Sequence, residues 1–398
     1  MNLEKTTALA DSDGLKRVEI VDSHTIEEGQ MREIAVGEGE QDKVLISRFN
    51  GQLYAIGAYC SHFGFPLSKG MLFDDKVLCP LHAAGFSVVT GAAENGPGLD
   101  SLPKYDIVQE GKKFYVVVPE KIEQKRVLPI TRRDPNDKRN FVIVGGGAAG
   151  LNCAETLRYS GYTGKITFIC KEKVLPYDRT LITKTLPFGD PSKFELRSKD
   201  WLESADIDVV HDSVYSVHPD TKQVAMARGA AITYDKLCIA TGTDVNKPPI
   251  PGSDAHHVYY IRTNEDQNKI KERCAELKNG VAIIGSGFVG SEAAASIKMK
   301  YKDKLDVHLI GMEEVPMERV FGKEVGQVMV KEHSANGVKL HMQAGVKEIT
   351  KNQYGNVNGV VLSDGSVLDV SMVIIGVGVH PNTSFLDRTE NGIKRDQQ

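Results

Sequence analysis

The sequence predicts a multidomain chain: one all-β domain, then two α/β units in which helices wind about a parallel sheet. Two observations carry that reading. Through the first 118 or so residues the chain runs in short alternating apolar segments, "KVLISRFN", "QLYAIGA", "KVLCPLH", "FSVVT" and "KFYVVVP", set apart by Gly, Pro and Asp. From Phe141 the pattern changes to strand, glycine turn, helix and strand in "FVIVGGGAAGLNCAETLRYSGYTGKITFIC", and the same order returns from Val281 in "VAIIGSGFVGSEAAASIKMKYKDKLDVHLIG". The chain of 398 residues has room for all three at roughly 100–200 residues per domain.

Composition narrows the classes. The 41% hydrophobic and 26% charged fractions are those of an ordinary globular chain. A net charge of −4, with both signs interspersed, leaves no electrostatic footprint for nucleic acid, so neither DNA nor RNA is an expected partner. No apolar run reaches the roughly 18 residues of a transmembrane helix. The start, "MNLEKTTALADSDGLKR", lacks the apolar core of a signal peptide and carries acids unlike a transit peptide. Six cysteines, Cys60, Cys79, Cys153, Cys170, Cys238 and Cys274, are scattered along the chain, which fits a reducing compartment. The cytoplasm is expected, with the mitochondrion as the alternative.

The expected divisions follow the changes of pattern. Residues 1–17 are an N-terminal tail, 18–118 the all-β domain and 119–139 a charged, proline-bearing linker without helical periodicity. Residues 140–260 form the first part of one α/β domain, 261–376 a second, and 377–398 begin a return to the first.

"CSHFGFPLSKGMLFDDKVLCPLH" presents Cys60 and His62 on one loop, Cys79 and His82 on another. Zinc with two cysteines and two histidines is the first rival. Zinc fingers place both cysteines in one knuckle and both histidines in the other, whereas here each loop supplies one of each. A Rieske [2Fe–2S] cluster needs that mixed pairing, because one iron takes both cysteines and the other both histidines. The two loops, with Pro80 after the second cysteine, resemble those of Rieske domains. Many members have Gly after the last histidine; Ala83 stands here, so the backbone is expected to sit differently. Phe65, Leu81, Ala84 and Phe86 stand where the respiratory type places extra cysteines and hydroxyls. That difference implies a potential in the lower part of a range of about −150 to +300 mV. A Rieske oxygenase would also need two histidines and a carboxylate for a mononuclear iron, and no such spacing stands outside the two loops.

Gly145, Gly147 and Gly150 have G-x-G-x-x-G spacing between a strand and a helix, the pattern that lets backbone N–H groups approach a pyrophosphate. Downstream, "LPYDRTLITK" resembles the signature of flavoprotein reductases that serve ferredoxins and of the apoptosis-inducing factor family. The resemblance implies FAD, with Arg179 contacting it and Lys184 near the isoalloxazine ring; a solvated basic pair is the alternative. Glu172, past "ITFIC", is the candidate for the FAD ribose hydroxyls. "LCIATGTDVNKPPIPG" resembles the Ala-Thr-Gly segment that closes the first half of the flavin domain, which implies Thr241 and Gly242 at the cofactor. Related disulfide reductases carry a Cys-x₄-Cys pair near "VLPYDRTLITK"; with no cysteine there, disulfide reduction is not expected.

Gly285, Gly287 and Gly290 repeat the glycine motif. Here the resemblance implies NAD(P)H, and Glu292 matches a family glutamate near the flavin whose partner would be Lys184. The alternative for Glu292 is a helix first-turn acid favoured by the helix dipole. An acid usually ends the following strand and holds a ribose 2′-OH. Gly311 takes that place, with Glu313 and Glu314 just beyond. These acids would repel a 2′-phosphate and "LIGMEEVPME" contains no arginine, so NADH is favoured over NADPH. "MVIIGVGVHPNTSF" resembles the exit from the nicotinamide domain; the family's later Ala-x-Gly-Asp segment and C-terminal domain do not follow, so weak FAD retention is expected.

Together these features imply an FAD-dependent NAD(P)H oxidoreductase of the Rieske-bearing branch of the apoptosis-inducing factor and ferredoxin-reductase-like family. Electrons would pass from NADH through FAD to the cluster and on to an unknown small-molecule or protein acceptor. The alternative is a non-catalytic or signalling protein that retains the cofactor scaffold.

Overall fold

The computed structural model describes residues 8–10, 14–186 and 191–388; residues 1–7 and 11–13 of the expected tail and 389–398 of the expected return segment lie outside them. The chain divides into two compact units, Met1–Pro129 and Ile130–Gln398.

In the first unit, antiparallel strands follow the order Ala8–Ala10, Leu15–Glu19, Lys113–Pro119, Lys104–Glu110, Gln52–Gly57, Lys43–Phe49 and Met31–Ala35. Successive side chains of a strand point to opposite faces, and in Lys43–Phe49 both faces are buried. Val44 and Ile46 join a core with Val18, Val116 and Ile122, while Leu45 joins another with Ile56, Leu67, Val77 and Phe86. Above that second core lies a smaller antiparallel sheet, Met71–Phe73, Lys76–Leu78, Gly85–Ser87 and Ala93–Asn95.

Two expectations change here. Residues 8–10, within the expected tail, form a strand paired with Leu15–Glu19. The expected linker 119–139 is shared between the units rather than free. Ile122 is buried in the first unit, Gln124 Nε2 donates to the Gln41 carbonyl at 2.7 Å, and Arg126 N donates to the Ser101 carbonyl at 2.8 Å. Further on, Thr131 N donates to the Arg158 carbonyl at 3.1 Å and Asp134 N to that of Thr163 at 2.8 Å. The segment is charged in its side chains, but its backbone groups find partners on folded neighbours, which composition does not register.

The second unit contains two parallel sheets of like design. One has the order Ile207–His211, Lys165–Cys170, Asn140–Val144, Lys236–Ile239; the other runs Lys339–His341, Asp306–Ile310, Gly280–Ile284, Met372–Ile375, Val258–Tyr260. Strands buried on both faces read as continuous apolar runs. Val281 and Ile283 face one core, Ala282 and Ile284 the other. Each sheet is accompanied by a three-stranded antiparallel sheet, Val214–His218 to Ala231–Thr233 in the first case and Val346–Lys351 to Val367–Leu368 in the second.

The boundary expected at 260/261 lies too late. Val258–Tyr260 pairs in parallel with Met372–Ile375 of the second sheet. The crossing is made earlier, at the ribbon of Thr243–Val245 with Val379–Pro381, beyond which prolines at 248, 249 and 251 deny the ladder its N–H donors.

Candidate cofactor sites

The two Cys/His loops of the first unit are built alike. Cys60 N donates to the Phe65 carbonyl at 2.9 Å and Gly64 N to that of Cys60 at 2.8 Å; Cys79 N donates to the Ala84 carbonyl and Ala83 N to that of Cys79, both at 2.9 Å. Each turn needs a left-handed residue at its fifth position, and Ala83 (φ 58°) fills the place that Gly64 (φ 67°) fills in the first loop. The Ala83 loop therefore follows the same backbone course as the Gly64 loop.

The loops bring cysteine to cysteine and histidine to histidine. Cys60 and Cys79 are each 3% exposed and belong to one buried cluster. The imidazoles of His62 and His82 stand edge to face, 4.9 Å between centroids, with His82 at the surface. Among the described residues no three or more His, Cys, Asp or Glu side chains gather to hold a single metal ion. Two pairs, thiols inside and imidazoles outside, are the donor set that a cluster of two irons takes.

Burial pushes the Cys60 thiol up to about 11, with the N–H groups of His62 and Phe63 opposing the shift and Cys79 adding to it. A bound metal supplies the positive charge that deprotonates such a thiol. Neighbouring hydroxyls point elsewhere: Ser61 Oγ donates to the Asp100 carbonyl at 2.7 Å and Tyr59 to that of Glu40 at 3.0 Å.

In the second unit the glycine turns coincide in detail. Gly145 (φ 125°) and Gly285 (φ 107°) make the turn, and a Cβ on either would lie within 2.1 Å and 2.4 Å of the Ala240 and Gly376 carbonyl oxygens, respectively. Gly150 and Gly290 pack helix against turn, where a Cβ would meet the Gly145 and Gly285 carbonyls. Gly147 and Gly287 differ, for a Cβ there would meet no atom within 4 Å. Both are N-caps, of Ala148–Tyr159 and Phe288–Tyr301, without a side-chain cap. Each helix thus opens onto free space with N–H groups unpaired by any capping side chain, a cradle that fits a dinucleotide pyrophosphate.

Beside the first turn the structure joins residues named singly from sequence. Arg179 Nη2 meets Glu172 Oε1 at 2.5 Å, and Nη1 donates to the Tyr177 hydroxyl at 2.8 Å and the Arg262 carbonyl at 2.5 Å. Tyr177 in turn donates to Glu172 Oε2 at 2.8 Å. Arg262 lies beside Gly242, whose Cβ would stand 3.2 Å from its Nη2; burial, then the neighbouring Arg179, lowers its pKa. Thr241 Oγ1 donates to the Asn382 carbonyl at 2.7 Å, and Asn382 N to that of Gly242 at 2.9 Å.

Lys184 ends the short helix Leu181–Lys184, and its Nζ lies 3.1 Å from Glu292 Oε1. Thr183 donates to the other Glu292 oxygen at 2.5 Å. Ser296 Oγ fixes the helix end by donating to the Thr183 and Lys184 carbonyls at 2.8 and 2.9 Å.

At the second turn, Gly311 directly follows the strand Asp306–Ile310, and a Cβ there would lie 2.3 Å from Ser286 Oγ. The acid stands two residues on: Ser286 Oγ donates to Glu313 Oε2 at 3.2 Å. Sequence reading treated both acids as unopposed, and the structure corrects that. Arg319 Nε meets Glu313 Oε1 at 2.7 Å, and Lys323 pairs with Glu314. Both cations stand just past the quoted segment, on either side of a kink at Gly322 (φ 76°) in the helix Glu318–Ala335. Tyr177, Thr183, Arg262 and Ser286 were also missed, although the first two lie inside the quoted motif.

A β-domain with two thiols and two imidazoles in pairs, followed by two dinucleotide cradles, defines an iron–sulfur flavoprotein reductase fold. Residues 16–106 match the Rieske [2Fe–2S] domain, and residues 139–398 match the family described as pyridine nucleotide-disulphide oxidoreductase. The chain belongs to the pyridine nucleotide-disulphide oxidoreductase family and carries a Rieske domain ahead of it. The two domains imply a [2Fe–2S] cluster, FAD and NAD(P)H.

Apoptosis-inducing factor 3 of Homo sapiens is 36% identical over 92% of this chain and 60% of its own length. Rhodocoxin reductase of Rhodococcus erythropolis is 30% identical over 65% of this chain and 61% of its own. Among solved structures, a ferredoxin reductase from Rhodopseudomonas palustris matches with a TM-score of 0.59 and 32% identity, covering 62% of this chain and 61% of that one. The chain spans about 60% of the length of these relatives. Among the described residues no helix is long and apolar enough to cross a membrane.

Proposed function

We propose that this chain is an NAD(P)H oxidoreductase that delivers electrons from the coenzyme, through FAD, to its own Rieske cluster and on to a small-molecule or protein acceptor. The observation that carries the reading is that both cysteines share one buried cluster while the two imidazoles stand against each other, on one chain with two open glycine cradles. Bound FAD would supply the link between two-electron hydride delivery by NAD(P)H and a one-electron iron–sulfur centre.

The residues divide that work. Cys60 and Cys79 hold one iron and His62 and His82 the other, the latter pair nearer solvent. The turn of Gly145, Gly147 and Gly150 takes the FAD pyrophosphate, with Arg179 and Arg262 supplying positive charge. Glu172 holds Arg179 with one oxygen and keeps lone pairs for a ribose hydroxyl. Thr241 and Gly242 close the flavin site. The ion pair of Lys184 and Glu292, steadied by Thr183, compensates charge beside the flavin. Gly285, Gly287 and Gly290 cradle the nicotinamide coenzyme, and Glu313 accepts from its ribose 2′-OH, which favours NADH; Glu314 lies outside it, paired with Lys323.

Cofactor content tests the reading. The purified chain should carry iron and acid-labile sulfide in equal amounts, and Cys79→Ala should lose the Rieske EPR signal. Stoichiometric zinc without iron would refute the cluster assignment.

A further inference from the structure

The coenzyme corner holds a cation that acid-based selectivity does not require. Glu313 receives Ser286 Oγ on one oxygen and Arg319 on the other. Arg319 approaches through Nε, and its side chain is 82% exposed, so the amino ends of its guanidinium face solvent. An exposed pair of this kind holds a long side chain weakly. A guanidinium with free amino groups is the bidentate match for a phosphate. Lys323 on Glu314 balances the second acid as Arg319 balances the first. The strand end itself has no space for an acid, since a Cβ at Gly311 would collide with Ser286 Oγ. The acid that serves this corner therefore comes two residues later, already accompanied by an arginine.

Resting on the reading of this turn as the coenzyme site, we propose that Arg319 is a specificity-determining residue that lets the corner accept a 2′-phosphorylated dinucleotide as well as an unphosphorylated one. Glu313 accepts from a ribose 2′-OH. Arg319 turns its amino groups onto a 2′-phosphate when one is present. The chain then uses NADPH as well as NADH, and loss of Arg319 makes it selective for NADH.

Calorimetric titration of the full chain with 2′,5′-ADP and with 5′-AMP tests this without flavin or turnover. The expected result is that both bind, with affinities within about tenfold of each other, on the strength of one charged contact. Arg319→Ala should weaken 2′,5′-ADP by roughly tenfold to a hundredfold and 5′-AMP by less than about threefold, as loss of one charged hydrogen-bonding group implies. Arg319→Lys, which keeps the charge but not the fork, should recover part of the loss. Equal weakening of both ligands in Arg319→Ala, or an unchanged 2′,5′-ADP affinity, would overturn the proposal. Binding of 5′-AMP alone by the unaltered chain would overturn it too. Failure of both ligands to bind would instead overturn the coenzyme-site reading beneath it.

Discussion

At Ala83 a side chain occupies a left-handed turn that the equivalent loop gives to Gly64. The conformation costs a residue with a Cβ about 1–2 kcal/mol, part of which glycine returns through its freer unfolded chain. Ala83→Gly should therefore stabilise the β-domain by about 0.5–1 kcal/mol, read as a higher urea midpoint with unchanged slope. A lower midpoint would mean that the Ala83 methyl makes contacts worth more than the turn costs. Gly147 and Gly287 give the opposite kind of test, since both lie at ordinary backbone angles and a Cβ there meets no protein atom. Gly147→Val should fold as the parent does yet lose at least about tenfold in FAD affinity, as expected when a side chain fills the space a pyrophosphate needs. Gly287→Val should keep flavin and lose its reduction by NADH. Equal affinity for added FAD in the parent and Gly147→Val would remove the first cradle.

Among the elements, the parallel pair Asp306–Ile310 and Lys339–His341 sets a buried histidine against a half-buried one, His308 Nδ1 at 2.9 Å from His341 Nε2. Burial lowers His308 to about 4, with His341 and Lys339 adding to the shift and Asp306 opposing it; burial lowers His341 as well. The unfolded chain takes up these protons as pH falls below about 6.5, and the folded chain only near 4 at His308. Stability should accordingly be full above that window, fall across it, and level off beneath it. Between pH 7.5 and 5 the His308 contribution is about 2 kcal/mol, and His308→Gln should remove that part of the slope in urea melts of the second unit. An unchanged slope would show that His308 takes up its proton as readily in the fold as in the unfolded chain. The helix Glu318–Ala335 shows what an element can hide from a reader of segments. Glu313 was visible as an acid past a strand, but its partner Arg319 enters only once the chain turns into the helix.

Across the molecule, what was legible was what spacing encodes. Mixed Cys/His pairs on two loops, and glycine turns between strand and helix, need fixed local separations, and each stands where sequence put it. Partners brought together by tertiary folding were not legible: Thr183 on Glu292, Arg262 beside Gly242, and the pairing of Val258–Tyr260 with a strand more than a hundred residues later. Composition also misled at 119–139, where charged side chains concealed backbone fixed on both units. In the proposed function one chain would carry electrons from a nicotinamide to its own cluster, the tether replacing diffusion of a separate carrier. The most direct test is anaerobic mixing of the FAD- and cluster-loaded chain with NADH, followed by freeze-quench EPR at several protein concentrations. The account predicts a reduced Rieske signal that appears at a rate independent of protein concentration and is absent in Gly147→Val. A cluster that dithionite reduces but NADH does not, or a rate that rises in proportion to protein concentration, would contradict it.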